Sequence, residues 1–257
     1  MSAIEQLYRY PVKGLSAEPL ASVQLTAGQA LPLDRIFAIT DGSWVFEPDN
    51  YAPRPKTDFL VQVNREQLAE YRTHYDDSRN QLSLLDPGGR ITRFDLDDPE
   101  DQDSLSRLFA ERFAGELQGV PRLVRAQGVR FTDVSVISMP MMNAISLVNL
   151  ASVDALEADL GQPVNPLRFR ANLYFRTATA WEELDWVGRQ LRIGQARVEV
   201  VLRTRRCPAV NVDPVTARRD LSIPKALMSR YGHPDMGVYI EVLEGGSIRV
   251  GDEVALL

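Results

Sequence analysis

The chain has 257 residues, of which 44% are apolar and 25% are charged, and its formal net charge is −6. This composition is typical of a soluble protein with a buried core, and the acidic balance argues against a general nucleic-acid binder, whose surface would be basic. One cysteine excludes an internal disulfide and a four-cysteine metal or iron–sulfur site, and two histidines, His74 and His233, are too few for a His-rich metal site.

No stretch approaches the ~20 consecutive apolar residues that a membrane-spanning helix needs. The opening sequence MSAIEQLYRYPVKG lacks a basic segment followed by an apolar core, which argues against a signal peptide. We therefore expect a cytoplasmic protein that has neither membrane nor nucleic-acid partners.

Short, β-prone segments bounded by turn residues recur along the whole sequence. A hairpin is predicted around the Asp-Pro-Gly-Gly turn at 86–89, and the segment 66–75 fits either a helix or a strand. The predicted strands cover residues 3–10, 21–26, 34–40, 81–85, 90–94, 123–125, 168–175, 190–203 (a hairpin), 237–243 and 248–256.

Three helices are predicted among these strands. The first covers 104–114, after an acidic stretch 95–103 that is interpreted as an exposed loop. The second runs from Ser152, as the N-terminal cap, to Leu160, and the third covers 222–231 with a proline in its first turn.

Many strands and few helices predict an α+β, mainly β fold, built as a β-barrel with helical decoration. The helix and proline that precede residue 125 separate two β-rich stretches. We therefore expect two domains, a β-barrel-like domain over 1–125 and a second β-barrel domain over 126–257. Three methionines in the loop 128–143 (Met139, Met141 and Met142) are interpreted as flexible packing.

Cys207 lies in the sequence RTRRCPAVNVDPVTARRD (203–220), directly after Arg205 and Arg206 and before Pro208. Nearby cations favour the thiolate, which is the form that attacks electrophiles and binds metals. A lone cysteine is about as often a small buried apolar residue, so this stretch by itself leaves both interpretations open. A Cys–His hydrolase using His233 is a further, weakly supported alternative.

Basic residues recur where turns and strand ends are predicted. Lys13 precedes a glycine, and Arg35 stands at the head of the strand 34–40. Arg168, Arg170 and Asn172 alternate along another predicted strand and would share one face. Such a set suits a phosphate or polyanion, although ordinary surface charge is the favoured explanation for any single member.

Six stretches together resemble the MOSC family, which is named for the C-terminal domain of molybdenum cofactor sulfurase. They are LYRYPVKG (7–14), DRIFAIT (34–40), RFRANLYF (168–175), RRCPAVNVDPVTA (205–217), GVYIEV (237–242) and IRVGDEVALL (248–257). Their order resembles that of two-part members, such as the mitochondrial amidoxime-reducing component, in which a β-barrel segment precedes the MOSC domain.

The resemblance implies a molybdenum cofactor of the molybdopterin type, with Cys207 as the protein ligand to the metal. By motif, it implies that Asp213 shapes the metal loop as the second catalytic candidate, and that the cofactor contacts are Lys13, Arg35, Ser146, Arg170, Asn172 and Arg206. Ala171 and Ala217 depart from the family pattern, which has proline and glycine there. These departures bear on substrate more than on cofactor binding.

The implied activity is a two-electron reduction or oxygen-atom transfer on a small N-oxygenated or related substrate. Electrons would come from a separate flavoprotein, ferredoxin or cytochrome, because one cysteine cannot build a second redox centre. The alternative is a non-redox protein that carries the cofactor, or sulfur on Cys207, for delivery elsewhere.

Overall fold

The computed structural model describes residues 2–138 and 140–257, so Met139 of the methionine-rich loop lies outside the described residues. The described strands are β1 (Ala3–Arg9), β2 (Glu18–Leu20), β3 (Ser22–Leu25), β4 (Ala38–Ile39), β5 (Arg72–Asp76), β6 (Gln81–Leu85), β7 (Ile91–Asp95), β8 (Leu123–Val124), β9 (Ile145–Asn149), β10 (Leu173–Arg176), β11 (Gln190–Ile193), β12 (Ala196–Arg205), β13 (Asp235–Glu244), β14 (Gly246–Arg249) and β15 (Val254–Leu256). The α-helices are α1 (Pro99–Arg112), α2 (Leu150–Leu160) and α3 (Ile223–Tyr231). The prediction of a mainly β, α+β fold is confirmed.

Eight strands form one curled sheet in the order β15-β11-β12-β13-β9-β10-β1-β2. Neighbours are antiparallel except β9 and β10, which run parallel. The start of β1 also bonds to the residues that lead into β15. The Ile4 amide donates to the Asp252 carbonyl at 2.9 Å, and the Val254 amide donates to the Ser2 carbonyl at 2.9 Å. The two ends of the sheet therefore meet, and the sheet wraps around one apolar core.

The burial pattern of each strand follows from its place in this sheet. In β12, Ala196, Val198 and Val200 are buried and alternate with half-exposed polar or apolar neighbours, as expected for a strand with one face on the core. Every residue of β9 is buried: Ile145 and Leu147 lie in the core of the sheet, and Val148 belongs to a second apolar cluster that includes residues of α2 and α3. Each fully buried leucine in such a cluster contributes about 1.5–3 kcal/mol to stability.

Helix α2 is capped differently from the prediction. Asn149 is the N-terminal cap, and its side chain accepts from the Ala151 amide at 3.1 Å, while Gly161 ends the helix in the left-handed conformation. Ser152 is fully buried instead, and its hydroxyl donates to Glu183. The hydroxyl is satisfied by a buried carboxylate, which the sequence pattern did not reveal.

The first half of the chain carries its own apolar core under the antiparallel meander β5-β6-β7 and helix α1. Helix α1 begins five residues before the predicted start, so the interpretation of 95–103 as a loop was wrong. Asp98 caps it by accepting from the Glu100 amide at 2.9 Å, and Pro99 occupies its first turn. Acidic residues in the first turn stabilise a helix through its dipole, and this explains the acidic sequence there.

Strands β1 and β2 belong to the large sheet although they come from the first half of the chain. The two halves are therefore joined through the sheet, and the division into 1–125 and 126–257 stays a prediction. None of the helices among the described residues is both long and apolar enough to cross a membrane.

Candidate functional site

A cavity of about 390 Å³ lies where the loop after β12 meets the first half of the chain. Seven of the eight predicted site residues line it: Lys13, Arg35, Ser146, Arg170, Asn172, Arg206 and Cys207. Asp213 does not. The fold thus gathers residues from opposite ends of the sequence around the single cysteine.

Cys207 is half-buried and follows the end of β12 after one intervening residue, Arg206. It precedes a 3-10 helix, Pro208–Asn211, which begins at the proline. Arg206, the residue before Cys207, is anchored by two backbone carbonyls. Its Nε donates to the Met236 carbonyl at 2.8 Å, and its Nη1 donates to the Phe169 carbonyl at 2.8 Å. Burial lowers the pKa of Arg206. The guanidinium thus ties the residue next to Cys207 to the backbone at Phe169 and Met236.

The loop after Cys207 is held by Arg168 and Asp213. Arg168 is buried, and its Nη1 donates to the Asn211 carbonyl at 3.0 Å while its Nη2 lies 2.9 Å from Asp213 Oδ2. The other Asp213 oxygen accepts from two backbone amides of the turn that follows it. Burial raises the pKa of Asp213, but these amides and Arg168 outweigh it and keep that pKa below its usual value. Asp213 therefore acts on the shape of the loop, and its catalytic role stays a prediction.

The predicted alternation of Arg168, Arg170 and Asn172 on one strand was wrong. Pro166 and the side chain of Asn165 instead initiate a 3-10 helix, Pro166–Phe169, and Arg170 adopts a left-handed conformation with φ of 51°. The strand begins only at Leu173. These residues still line one cavity, because the turn presents them to it in place of a strand face.

Arg35 and Arg170 lie against the same buried aromatic ring. Their guanidinium carbons are 4.5 and 4.6 Å from the ring centroid of Tyr10. Arg35 is not at the head of a strand as predicted, since its φ is 49° and β4 begins only at Ala38. It pairs with Asp34 and donates to the Arg170 carbonyl at 2.8 Å. Arg170 pairs with no carboxylate among the described residues, and burial lowers its pKa.

Lys13 is buried, and its Nζ donates to the Phe131 carbonyl at 3.0 Å and to Asp133. The second oxygen of Asp133 accepts from Lys56 Nζ at 3.0 Å. Burial lowers the pKa of Lys13. Burial also acts to lower the pKa of Lys56, but Asp133 and Cys207 outweigh it and raise that pKa above its usual value. Among the described residues, Asp133 is the one carboxylate on the cavity wall, and the other charged side chains of that wall are cationic.

Ser146 and Asn172 bond to each other on the cavity wall. The Ser146 hydroxyl donates to Asn172 Oδ1 at 2.9 Å, and the side-chain nitrogen of Asn172 donates to the Tyr8 carbonyl at 3.2 Å. These bonds tie β9, the approach to β10 and β1 together. Both side chains are therefore engaged by the protein itself and give this wall a fixed shape.

Family models match nearly the whole chain. The MOSC domain model matches residues 128–255, and the model of the MOSC N-terminal beta barrel domain matches residues 1–125. The chain belongs to the MOSC family.

Two named relatives of this MOSC protein come from animals. The mitochondrial amidoxime-reducing component 1 of Xenopus laevis is 31% identical over 146 residues, which are 52% of this chain and 42% of that protein. The molybdenum cofactor sulfurase of Drosophila persimilis is 30% identical over 133 residues, which are 48% of this chain and 16% of that protein. The matched part thus spans less than half of either relative.

Among solved structures, the YUAD protein of Bacillus subtilis is 13% identical and covers 100% of this chain and 96% of its own. The TM-score is 0.43, which is too low for the superposition to define the fold.

The cavity of this MOSC protein also holds polar groups that sequence reasoning missed. The hydroxyls of Thr132 and Thr204 are buried and have no hydrogen-bond partner among the described residues, and both residues line the cavity. An unpaired buried hydroxyl costs about 1–3 kcal/mol, so these two groups are unsatisfied positions in the cavity wall. The thiol and the arginines of the cavity fit an anionic cofactor.

Lys56, Asp133 and Tyr239 also line the cavity and were not predicted. Lys56 lies in the proline-rich stretch 47–56, which has the composition of an ordinary loop, and nothing local distinguishes Asp133 from other exposed acids. Tyr239 lies on β13, within the stretch GVYIEV that resembles the family. Thr204 lies on β12, three residues before Cys207. Proximity to those motifs is the one feature of the sequence that could have identified Tyr239 and Thr204 as site residues.

Proposed function

We propose that this MOSC protein is a molybdenum-cofactor-dependent oxidoreductase acting on a small N-oxygenated or related substrate. The observation that carries the proposal is a half-buried thiol, Cys207, in a cavity whose wall has, among the described residues, several cationic side chains and one carboxylate. A thiolate is a soft metal ligand, and cations around a cavity favour an anionic cofactor. When bound, the cofactor supplies the two-electron chemistry, and the protein binds and orients it.

Arg35 and Arg170 are the residues best placed to hold a phosphate-type group. Arg170 is the stronger candidate, since it pairs with no carboxylate among the described residues, whereas Asp34 already neutralises part of Arg35. Arginine offers a planar fork that matches two oxygens of such an anion. Their stacking on Tyr10 keeps both guanidiniums in fixed orientations.

The remaining cavity residues would shape the site of the cofactor. Ser146 and Asn172 keep the wall rigid through their mutual bond. Asp213 and Arg168 hold the loop that presents the Cys207 thiol, so the metal ligand arrives preorganised.

The two animal relatives support the same proposal. One is an amidoxime-reducing component and the other a molybdenum cofactor sulfurase, and each match covers about half of this chain. Reduction of a small substrate requires electrons from elsewhere, so we propose a separate flavoprotein, ferredoxin or cytochrome as donor.

The alternative is a carrier that holds the cofactor, or sulfur on Cys207, without turnover. The similarity to a sulfurase and the partial exposure of the thiol favour this second function. A carrier and an oxidoreductase would bind the same group and differ in whether substrate is reduced.

Two measurements on one purified preparation distinguish the oxidoreductase from the carrier. Molybdenum per chain is measured after production in cells that make the cofactor, and benzamidoxime reduction is then followed with a reduced dye. We expect stoichiometric metal and turnover, both lost in Cys207→Ser with its circular dichroism spectrum unchanged. Metal without turnover on a broad panel of N-oxygenated substrates would favour the carrier. A wild-type protein free of molybdenum, or full activity in Cys207→Ser, would contradict the proposal.

A matched pair of arginine variants tests the anion site. Arg170→Met should lower the molybdenum content, whereas Arg192→Met, an exposed arginine of β11, should leave it unchanged. Equal metal content in both variants would remove Arg170 from the site.

A further inference from the structure

Asp133 is held in a way that differs from the other acids near the cavity. Its two oxygens accept from Lys13 and Lys56, and no other donor among the described residues bonds to them. Asp34, by contrast, also accepts from the Tyr10 amide at 2.7 Å, and Asp213 accepts from two backbone amides. Asp34 and Asp213 are fixed by the main chain, whereas two lysine side chains alone hold Asp133.

The exposure of these side chains shows which partner is fixed and which can leave. The Lys13 side chain is 8% exposed, while the Asp133 side chain is 45% exposed at the cavity wall. A buried ammonium without a counter-charge is costly, so Lys13 needs a negative partner at all times. Asp133 supplies that charge from the solvent side, which is the position that an anionic ligand would take.

An anion that approaches Lys13 therefore has to compete with the Asp133 carboxylate, which already pairs with the ammonium group. Exchange of one negative charge for another brings no electrostatic gain, and Asp133 is tethered, so its effective concentration is high. A free monoanion loses this competition. A phosphate-type group with more than one negative charge gains from both lysines and can displace the carboxylate.

We propose that Asp133 is an exchangeable counter-ion, which neutralises Lys13 and Lys56 until an anion of higher charge takes its place. This inference rests on the proposed function, because it concerns the anion that the cavity binds, and it assigns Asp133 the selection of phosphate-type groups over carboxylates and other monoanions. Asp133 lies at the start of a 3-10 helix, Asp133–Val136, so its release moves a surface segment of the cavity wall.

The test is calorimetric titration of the full chain with inorganic phosphate and with acetate at constant ionic strength. Asp133→Asn should bind phosphate about tenfold more tightly than the wild type, since a like charge next to the ligand is removed, and should discriminate less between phosphate and acetate. The control is Asp154→Asn, because Asp154 also pairs with an arginine, Arg176, but its side chain is 62% exposed and neither residue lines the cavity. This control should bind as the wild type does.

Hydrogen exchange of the wild type provides a second measurement that needs no variant. Phosphate should increase exchange in residues 133–137 if Asp133 leaves the lysines, whereas simple binding beside it would decrease exchange there. Phosphate affinity that is equal in Asp133→Asn and wild type, or decreased exchange, would overturn the role of Asp133 and leave the proposed function standing. Absence of phosphate binding in both proteins would overturn the anion site at Lys13 and Lys56, whereas the proposed function is tested separately by the molybdenum content of the wild type and of Cys207→Ser.

Discussion

Arg168 and Asp213 form a buried ion pair beneath the Cys207 loop, with Nη2 of the arginine 2.9 Å from Oδ2 of the aspartate. A second acid, Asp220, lies 2.8 Å from the same guanidinium. Because the other Asp213 oxygen caps the turn that follows it, this residue connects the rigid arginine to the loop.

Replacement of Asp213 should therefore destabilise the loop. We expect Asp213→Asn to lower the free energy of unfolding by about 1–3 kcal/mol, because a buried charged bond is lost while Asn can still cap the turn. Urea denaturation measures this. The exposed pair Arg203–Asp185 is the control, and Asp185→Asn should cost about 0–1 kcal/mol. Equal effects would mean that the Arg168 pair contributes no more than a surface pair.

Arg219 joins the cysteine loop to the first half of the chain. Its Nη2 donates to the carbonyls of Gln62 at 2.7 Å and Val63 at 2.9 Å, and its Nη1 donates to the Pro208 carbonyl at 3.1 Å. Arg219→Met should cost about 1–3 kcal/mol and increase hydrogen exchange in residues 207–212. The exposed Arg192→Met serves as the control. Unchanged exchange in that loop would show that Arg219 does not clamp it.

Glu183 makes stability depend on pH. The side chain is 0% exposed, it bonds to Ser152 and Asn149, and it pairs with no cation among the described residues. Burial raises its pKa from 4.5 to about 7, which outweighs the hydrogen bonds that lower it. As pH rises from about 4.5 to about 7, the unfolded chain releases this proton while the folded protein keeps it, so stability falls across that window and stays lower above it.

Glu183→Gln should remove this dependence, because glutamine keeps the neutral hydrogen bonds and does not ionise. The wild type should lose on the order of 3 kcal/mol between about pH 5 and about pH 8 relative to the variant, as measured by urea denaturation at both values. Glu111→Gln, at an exposed position of α1, should show the wild-type slope. A Glu183→Gln variant with that same slope would assign the pH dependence to other groups.

Gly237 lets β13 approach β9 closely. Its φ is 75°, and a Cβ atom there would lie 2.4 Å from the Leu147 carbonyl oxygen. Gly251 has a φ of 93° but nothing within 4 Å of such an atom. Both Ala variants suffer backbone strain of about 1–2 kcal/mol, and only Gly237→Ala adds a clash with main chain, so it should cost at least about 3 kcal/mol. Thermal denaturation compares them, and equal losses would refute the clash.

Local patterns in the sequence determined most elements of this protein. Apolar alternation and turn residues predicted β1, the hairpin of β6 and β7, the hairpin of β11 and β12, and helix α3, because each depends on neighbours close in sequence. The predictions that were wrong lie where a cap or a turn competes with a strand pattern. At Asn165–Pro166 a helical turn begins that shifts Arg170 into a left-handed conformation.

The motif around Cys207 likewise indicated the thiol and the arginines from sequence alone. Tertiary structure alone decided what surrounds them. It placed Asp133 and Lys56 beside Lys13, turned Asp213 toward Arg168, and left the hydroxyls of Thr132 and Thr204 without partners among the described residues. These relationships join residues far apart in sequence, and they follow from which buried charges and hydroxyls the folded chain can satisfy internally. That balance is a property of the three-dimensional packing, which no local pattern encodes.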